Sequence, residues 1–340
     1  MTRSRLLAAA LLAAPLAASA QEDRTLVISL WGFNGDLIEE HVLAPFREEH
    51  GVEIVLETGN NADRLNKVRI RGGSEVDLIY LTDAFSQIGI DNDLFMPVDR
   101  ALVPNAEGLH EPARAPQGEF GPAYTVGRIG IVYDAAEVEP IDEWADLWRE
   151  DLAGEVAIPE ISTTGGPLMV LAAARVAGVD PYEETDAAFE KLSELEPNVA
   201  KAYRTGSELI NLLSTGEASV GITQDFVLAS LREAVPTIEF ADLADGGYAV
   251  FNTINIVEGT ENADLAHAFI DWALDPDLQR TLAVEGVDAP VAAAVELTEE
   301  EAEPWTYGAD EIASLNRIDH GALNAAKDEW ADRWVEVFGQ

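Results

Sequence analysis

The sequence predicts an α/β fold built on mostly parallel strands, and three observations support this. Apolar, β-branched runs alternate with segments of helical periodicity along the whole chain. The 340 residues suffice for one large domain or two ordinary ones, and 47% apolar content supports true cores. No linker rich in proline, serine or glycine divides the chain, so we expect two lobes joined by ordered strands.

The first third of the chain alternates strands and helices. The predicted strands are 24–32, 52–59 and 76–83, and the predicted helices are 36–51 and 61–73. This spacing indicates parallel strands joined by right-handed crossovers. Because ligands in such sheets bind beyond the carboxyl ends of the strands, the rule selects Trp31, Gly32, Asn34, Asn60, Asn61, Thr82, Asp83 and Phe85.

The rest of the chain continues the pattern. "FGPAYTVGRIGIVYD" (120–134) is predicted to cross into a second unit, and "YAVFNTINIVEG" (248–259) to cross back. Between them, 144–160 predicts a helix, a turn and a strand, 164–178 a helix, and 217–226 a strand.

The N-terminus carries an export signal. Arg3 and Arg5 precede an apolar run, 6–18, which ends in the small-residue site Ala18-Ser19-Ala20. The alternative, a buried N-terminal helix, fits this pattern less well. We expect cleavage after Ala20, so residues 1–20 are excluded from the fold. No cysteine occurs in the chain, which excludes disulfides and a lipid-anchored N-terminus. We expect a soluble, periplasmic protein.

The chain is strongly acidic, with 21 Lys+Arg against 63 Asp+Glu and a net charge of −42. Nucleic acid is therefore excluded as a partner, because it requires basic patches. The acids are spread along the whole chain, which favours a solvated surface suited to a saline exterior over a device that attracts cations.

Catalytic and cofactor motifs are missing from the sequence. It contains no G-x-G-x-x-G, G-x-x-x-x-G-K-[ST], H-E-x-x-H or G-x-S-x-G. The absence of cysteine removes thiolate zinc sites, and no Tyr-Tyr pair of the kind used for ferric iron is present. We therefore expect no enzyme, no cofactor and no metal.

The order of segments resembles the periplasmic substrate-binding proteins of ABC importers, most closely the spermidine/putrescine-binding family. The segments that carry the resemblance are "LWGFNGDLIEEHVLAPFREEHGVEIVLETGNNADRLNKVRI", "DLIYLTDAFSQIGIDNDLFMPVD", "YTVGRIGIVYD", "WADLWREDLAGEVAI", "AFEKLSELEPNVAKA", "GEASVGITQDF", "GGYAVFNTINIV" and "AHAFIDWALDPDLQRTLAVEGVDAPVAAA".

The resemblance implies a two-lobe periplasmic-binding-protein fold of type II, with a two-strand hinge and a ligand cleft between the lobes. Lobe 1 would span 21–124 and 253–300, lobe 2 would span 125–252, and the helices of 301–340 would pack on both. The protein would capture a small molecule as a monomer and deliver it to a permease in the inner membrane.

The resemblance also implies contacts with a polyamine-like cation. Relatives hold ammonium groups with carboxylates and methylene chains with aromatic rings. Trp31 keeps the first aromatic, whereas Asp83 replaces an aromatic and Asn252 replaces an aspartate. The other positions implied for the site are Glu160, Ser162, Thr163, Thr164, Gly165, Asp225 and His320.

Two features indicate a zwitterionic or anionic ligand instead. Arg128 lies in "TVGRIGIVY", where an arginine in the cleft would bind a carboxylate in bidentate fashion. The hydroxyl- and glycine-rich turn 162–166 precedes a helix, whose N-terminus favours anions.

Structural roles are open for each of these residues. The hydroxyls of the turn 162–166, Asp83 and Asp225 are also good helix caps. Arg128 could pair with a surface acid, and Trp31 could lie in the core. His320 could be solvated or have a structural role.

Overall fold

The computed structural model describes residues 24–32, 34–71, 73 and 75–339. The predicted signal peptide and its cleavage after Ala20 lie outside these residues. Within them, no helix combines the length and apolarity that crossing a bilayer requires.

The strands belong to one mixed sheet. They are β1 (Thr25–Leu30), β2 (Glu53–Thr58), β3 (Leu78–Thr82), β4 (Phe95–Met96), β5 (Ala123–Asp134), β6 (Val156–Pro159), β7 (Val199–Tyr203), β8 (Val220–Gln224), β9 (Ile238–Phe240) and β10 (Tyr248–Val257). Their order is β2-β1-β3-β10-β5-β8-β6-β7, with β4 beside β10 and β9 beside β5.

Helices cover the sheet and follow the predicted segments. They are α1 (Gly35–Ile38), α2 (Ala44–His50), α3 (Asn61–Arg71), α4 (Asp83–Asp91), α5 (Glu111–Arg114), α6 (Gly166–Ala177), α7 (Thr185–Ser193), α8 (Gly206–Thr215), α9 (Leu228–Ala234), α10 (Ala263–Ala273), α11 (Pro276–Val284), α12 (Glu299–Ala302), α13 (Ala309–Ser314) and α14 (His320–Phe338). A π-helical turn, Glu39–Leu43, joins α1 to α2.

The sheet is parallel on its two flanks and antiparallel in its middle. On one flank β1 pairs in parallel with β2 and β3, and on the other β6 pairs in parallel with β7 and β8. The long central strands β5 and β10 run antiparallel to each other and to their outer neighbours β8 and β3. The prediction of parallel strands is thus correct for each flank. The centre differs because β5 enters the second lobe and β10 returns from it.

Each flank has its own hydrophobic core, so the molecule has two lobes. The first core contains Phe46, Phe251 and Phe269, and the second contains Trp144, Trp330 and Trp334. Both β5 and β10 contribute to the two cores, which confirms the predicted two-strand hinge. The exact lobe boundaries stay a prediction.

The segment 144–152 differs from its predicted α-helix. It forms two 3-10 turns, Trp144–Trp148 and Glu150–Leu152. The side-chain amide of Asn198 donates to the carbonyl oxygens of Leu147 and Arg149 at 2.7 and 2.8 Å. These carbonyls are therefore satisfied by a tertiary contact, and an α-helical ladder would compete for them.

Candidate functional site

Two adjoining cavities lie where the carboxyl ends of the strands meet between the lobes. The tryptophan cavity has a volume of about 510 Å³ and contains Trp31 and Trp305 in its wall. The histidine cavity has a volume of about 500 Å³ and contains His320. Asn60, Asn61 and Thr164 line both cavities, so together the two form one cleft.

Aromatic rings form one wall of the tryptophan cavity. Trp31 follows the end of β1 and stacks on Tyr124, with ring centroids 5.8 Å apart and planes inclined by 18°. The edge of Tyr80 packs against both rings at 5.4 and 4.9 Å between centroids. The buried Tyr124 hydroxyl has no hydrogen-bond partner among the described residues. An apolar wall thus carries a free polar group, which is typical of a ligand pocket.

Two acids line the same cavity. Asp225, at the end of β8, accepts hydrogen bonds from the Thr306 hydroxyl and from the Arg128 backbone N–H at 3.1 Å. Burial raises the pKa of the Asp225 carboxyl to about 6, although the two hydrogen bonds act to lower it. Burial also raises the pKa of the Asp288 carboxyl to about 8, and no donor among the described residues offsets that shift. Asp288 is therefore the acid that lacks a partner.

Arg64, on α3, lines the tryptophan cavity and is only 1% exposed. Its guanidinium donates to the carbonyl oxygens of Gly59, Ser29 and Tyr80, at distances of 2.5 to 3.0 Å. It thereby ties the carboxyl ends of β1 and β3 to the loop after β2. The cavity therefore contains a buried cation as well as acids.

Thr82 and Asn252 lie opposite each other on β3 and β10 and both line the tryptophan cavity. The register of β10 against β5 shifts between Asn252 and Thr253, and such irregularities re-aim side chains. The Thr82 hydroxyl is buried without a hydrogen-bond partner among the described residues. Thr82 is thus a second polar group available to a ligand.

Other predicted residues line the histidine cavity: Asp83, Phe85, Ser162, Thr163, Thr164 and His320. The Asp83 carboxylate accepts the Phe251 backbone N–H at 3.1 Å, and the His320 Nε2 lies 3.1 Å from the same oxygen. The other oxygen accepts the Ala84 N–H at 2.9 Å. Asp83 therefore joins the first turn of α4 to β10, and His320 of α14 lies beside it.

The hydroxyl-rich turn mainly builds the start of α6. The Thr163 hydroxyl donates to the Glu160 carbonyl oxygen at 2.7 Å and accepts the Gly166 N–H at 3.1 Å. Capping, the structural role open for this residue, is thus what its hydroxyl performs. Ser162 and Thr164 are the exposed members of the turn; Ser162 lines the histidine cavity, and Thr164 lines both cavities.

Replacing Gly166 with alanine is expected to destabilise this turn. A Cβ at Gly166 would lie 2.1 Å from the Glu160 carbonyl oxygen and 2.4 Å from the Ile161 Cα, both backbone atoms. We expect the free energy of unfolding to fall by about 2 kcal/mol or more. In the control Gly165→Ala, the nearest atoms belong to the Pro159 side chain at 3.0 and 3.1 Å. Urea unfolding of the two variants tests this, and equal midpoints would contradict it.

Gly32, which the strand-end rule selected, lines neither cavity, and four further predicted site residues also lie outside both. Arg128 pairs with Glu311 at 2.6 Å, and its Cζ lies 4.6 Å from the centre of the Phe240 ring, in a separate surface pocket. Glu160 forms an ion pair with Arg204, which itself lines the histidine cavity. Asn34 and Gly165 are the residues that precede α1 and α6. The site proposed below therefore excludes these five.

Several lining residues carry no signal in the sequence. Asp288 lies in "GVDAPV", after α11, where no strand end or motif marks it. Arg64 resembles any basic residue of an exposed helix until its burial is known. Tyr124 lies in the segment predicted as a hinge strand, where Arg128 was the residue selected for the site. None had a local signal, because the cavity is assembled from segments far apart in the chain.

Known proteins resemble this chain over most of its length. The putrescine-binding periplasmic protein PotF of Escherichia coli (strain K12) is 25% identical over 300 residues, covering 81% of this chain and 80% of that protein. The gamma-aminobutyric acid-binding protein of Pseudomonas aeruginosa is 25% identical over 345 residues, covering 95% of each. The crystal structure of an ABC transporter from Clostridium perfringens ATCC 13124 matches with a TM-score of 0.86 and 40% identity, covering 92% of this chain and 99% of that chain.

The model of the bacterial extracellular solute-binding protein family matches residues 41–309. This match and the two-lobe fold confirm the resemblance to the substrate-binding proteins of ABC importers. The family and its structural neighbours are transport binding proteins. The chain therefore belongs to the bacterial extracellular solute-binding protein family, as a solute-binding component of an ABC transporter.

Proposed function

We propose that the protein captures a small amine-bearing solute in the tryptophan cavity and delivers it to the membrane permease of an importer. The observation that carries this proposal is the carboxyl of Asp288, which lines an aromatic cavity without a partner. An ammonium group would supply the missing counter-charge and hydrogen-bond donors. Trp31 and Tyr124 offer ring faces to the same cation.

Asp225 supports this assignment as a second acid in the cavity. Its carboxylate is held by Thr306 and by the Arg128 backbone, so its position is set before a ligand arrives. A pre-oriented acceptor loses little entropy on binding. The named relatives bind putrescine and gamma-aminobutyric acid, which share an ammonium group on a short methylene chain.

We also propose that the mature chain is exported to the periplasm after cleavage behind Ala20 and works there as a monomer. Binding leaves the solute unchanged, so the two lobes need only close on it and reopen. Turnover of a bound amine would contradict this part of the proposal. Mass spectrometry of the exported protein and its sedimentation behaviour test the other two parts.

A thermal-shift screen of the purified protein tests the proposed ligand class. Amines with two to six carbons, including putrescine and 4-aminobutanoate, are compared with matched acids that lack nitrogen, such as butanoate. We expect at least one amine at about 100 times its Kd to raise the melting temperature by roughly 5 °C, and butanoate to have no effect. Absence of any shift with millimolar amines would contradict the proposal.

A further inference from the structure

Arg64 is a buried cation without an anionic partner among the described residues. Besides its three carbonyl acceptors, it donates from Nη2 to the Asn61 Oδ1 at 2.8 Å. A guanidinium has five N–H groups, and the contacts to Gly59, Ser29, Tyr80 and Asn61 occupy four of them. The remaining N–H is on Nη2, the nitrogen that also donates to Asn61, and both residues line the tryptophan cavity.

Within the described part of the chain, Arg100, Arg114 and Arg175 also donate only to neutral oxygens, but Arg64 differs from them in being almost fully buried. Acids outnumber basic residues by 63 to 21, yet every recorded acceptor of Arg64 is neutral. Burial lowers the pKa of Arg64 to about 10, with no carboxylate to oppose the shift. A buried charge is costly until an opposite charge with good geometry compensates it. A carboxylate would accept the free N–H and supply that charge.

Arg64 and Asp288 lie in one cavity without pairing with each other. Both act on the Tyr124 hydroxyl, since Asp288 raises its pKa and Arg64 lowers it. Among the described residues no hydrogen bond or ion pair joins Arg64 to Asp288, and the unpartnered Tyr124 hydroxyl lies within the electrostatic influence of both.

We infer that the solute is zwitterionic, with its ammonium group at Asp288 and its carboxylate at Arg64. This inference rests on the proposed function and narrows the ligand class to short amino carboxylates. The Tyr124 and Thr82 hydroxyls supply further hydrogen bonds inside the cavity. Arg64 thus takes the role in anion recognition that the sequence suggested for Arg128. Of these two arginines, Arg64 lines the tryptophan cavity and Arg128 lines a separate pocket.

Calorimetric titration with matched ligand pairs tests the role of Arg64. The pairs are β-alanine with ethylamine, 4-aminobutanoate with propylamine, and 5-aminopentanoate with butylamine, so each amine lacks only the carboxylate. In the wild-type protein we expect the best amino carboxylate to bind at least 30-fold more tightly than its amine. In Arg64→Gln we expect that preference, measured as the ratio of the two affinities, to fall below threefold.

A merely structural role of Arg64 would lower both affinities alike and would overturn the inference. Asn61→Asp is the second variant, because it supplies an acid to the guanidinium without removing any of the contacts that Arg64 makes to carbonyls. We expect it also to abolish the preference for carboxylates, and Arg64→Lys to retain part of it. A wild-type protein that binds amines without preferring amino carboxylates would overturn the inference and leave the proposed function standing. Failure of all amines and amino carboxylates to bind would overturn both.

Discussion

Replacing Asp288 with asparagine is expected to weaken binding of an amine by roughly 100-fold at pH 8. The change preserves size and removes the one carboxyl of the cavity that has no other partner. The same replacement is expected to remove most of the pH dependence of binding between pH 6 and 8. The two results belong together, since the ammonium group requires the ionised form of an acid whose pKa burial raises to about 8.

The sign of the pH effect follows from that raised pKa. Below about pH 8 the Asp288 carboxyl is protonated, so an ammonium ligand must displace its proton. Affinity should therefore rise with pH by up to about tenfold per unit until about pH 8. The stability of the ligand-free protein should change in the opposite direction. Its native state holds a proton that the unfolded state releases near 3.8, so Asp288 makes stability fall as pH rises from about 4 to 8.

The groups around Asp288 do not reverse this sign. Two tyrosines lie within the electrostatic influence of Asp288. Burial, and then the Asp288 charge, raise the pKa of the Tyr80 and Tyr124 hydroxyls, so both hydroxyls stay neutral from pH 6 to 8. Arg64 stays charged, because its pKa of about 10 lies above the range. Asp225 titrates lower, near 6, and adds a smaller rise in affinity at the acidic end.

Calorimetry from pH 6 to 8, in two buffers of different ionisation enthalpy, measures both affinity and proton release. The control is Glu285→Gln, which removes one exposed acid from the same segment. Wild type and control should release a proton on binding an amine at pH 7, and Asp288→Asn should release much less. Equal pH slopes in Asp288→Asn and the wild type would show that another group binds the ammonium.

Replacing Trp330 with alanine is expected to lower the free energy of unfolding by about 3 to 5 kcal/mol. Trp330 is fully buried, stacks on Tyr182 at 5.6 Å between ring centroids, and packs against Phe189. Its removal would leave a large cavity where α14 meets the second core. The same helix would lose an anchor to the core, and this helix carries His320 into the cleft.

Two further variants separate packing from other effects. Trp330→Phe should cost much less, because most of the ring volume stays and the buried indole N–H has no hydrogen-bond partner among the described residues. Val335→Ala, at an exposed position of the same helix, should change stability by less than about 0.5 kcal/mol. Urea unfolding measures all three, and a Trp330→Ala midpoint close to that of Val335→Ala would contradict the prediction.

The rule that ligands bind beyond the strand ends placed several residues well. Trp31 and Thr82 line the tryptophan cavity, and Asp83 and Phe85 line the neighbouring one. Their positions could be predicted because strand ends are visible in the periodicity. Whether they contact a solute stays a prediction, as does the contact proposed for the turn 162–166.

Arg128 shows where local pattern was insufficient. Its neighbours Gly127 and Ile129 line the cleft, whereas the Arg128 side chain lies against Phe240 and Glu311 in a separate pocket. The segment was assigned correctly as the hinge strand. Only the pairing of β5 with β8 and β9 shows which of its faces meets the cleft.

The sequence by itself determined the α/β class, the order of the strands and helices, and the two-lobe family of transport binding proteins. The class and the predicted elements follow from periodicities of two and 3.6 residues, which act between near neighbours in the chain. The family follows from the resemblance of the ordered segments to known proteins. Only the tertiary structure decided that Arg64, Asp225 and Asp288 share one cavity. Burial and partners set the charge of such groups and their demand for a counter-ion, and the segments that bury them are brought together only by folding.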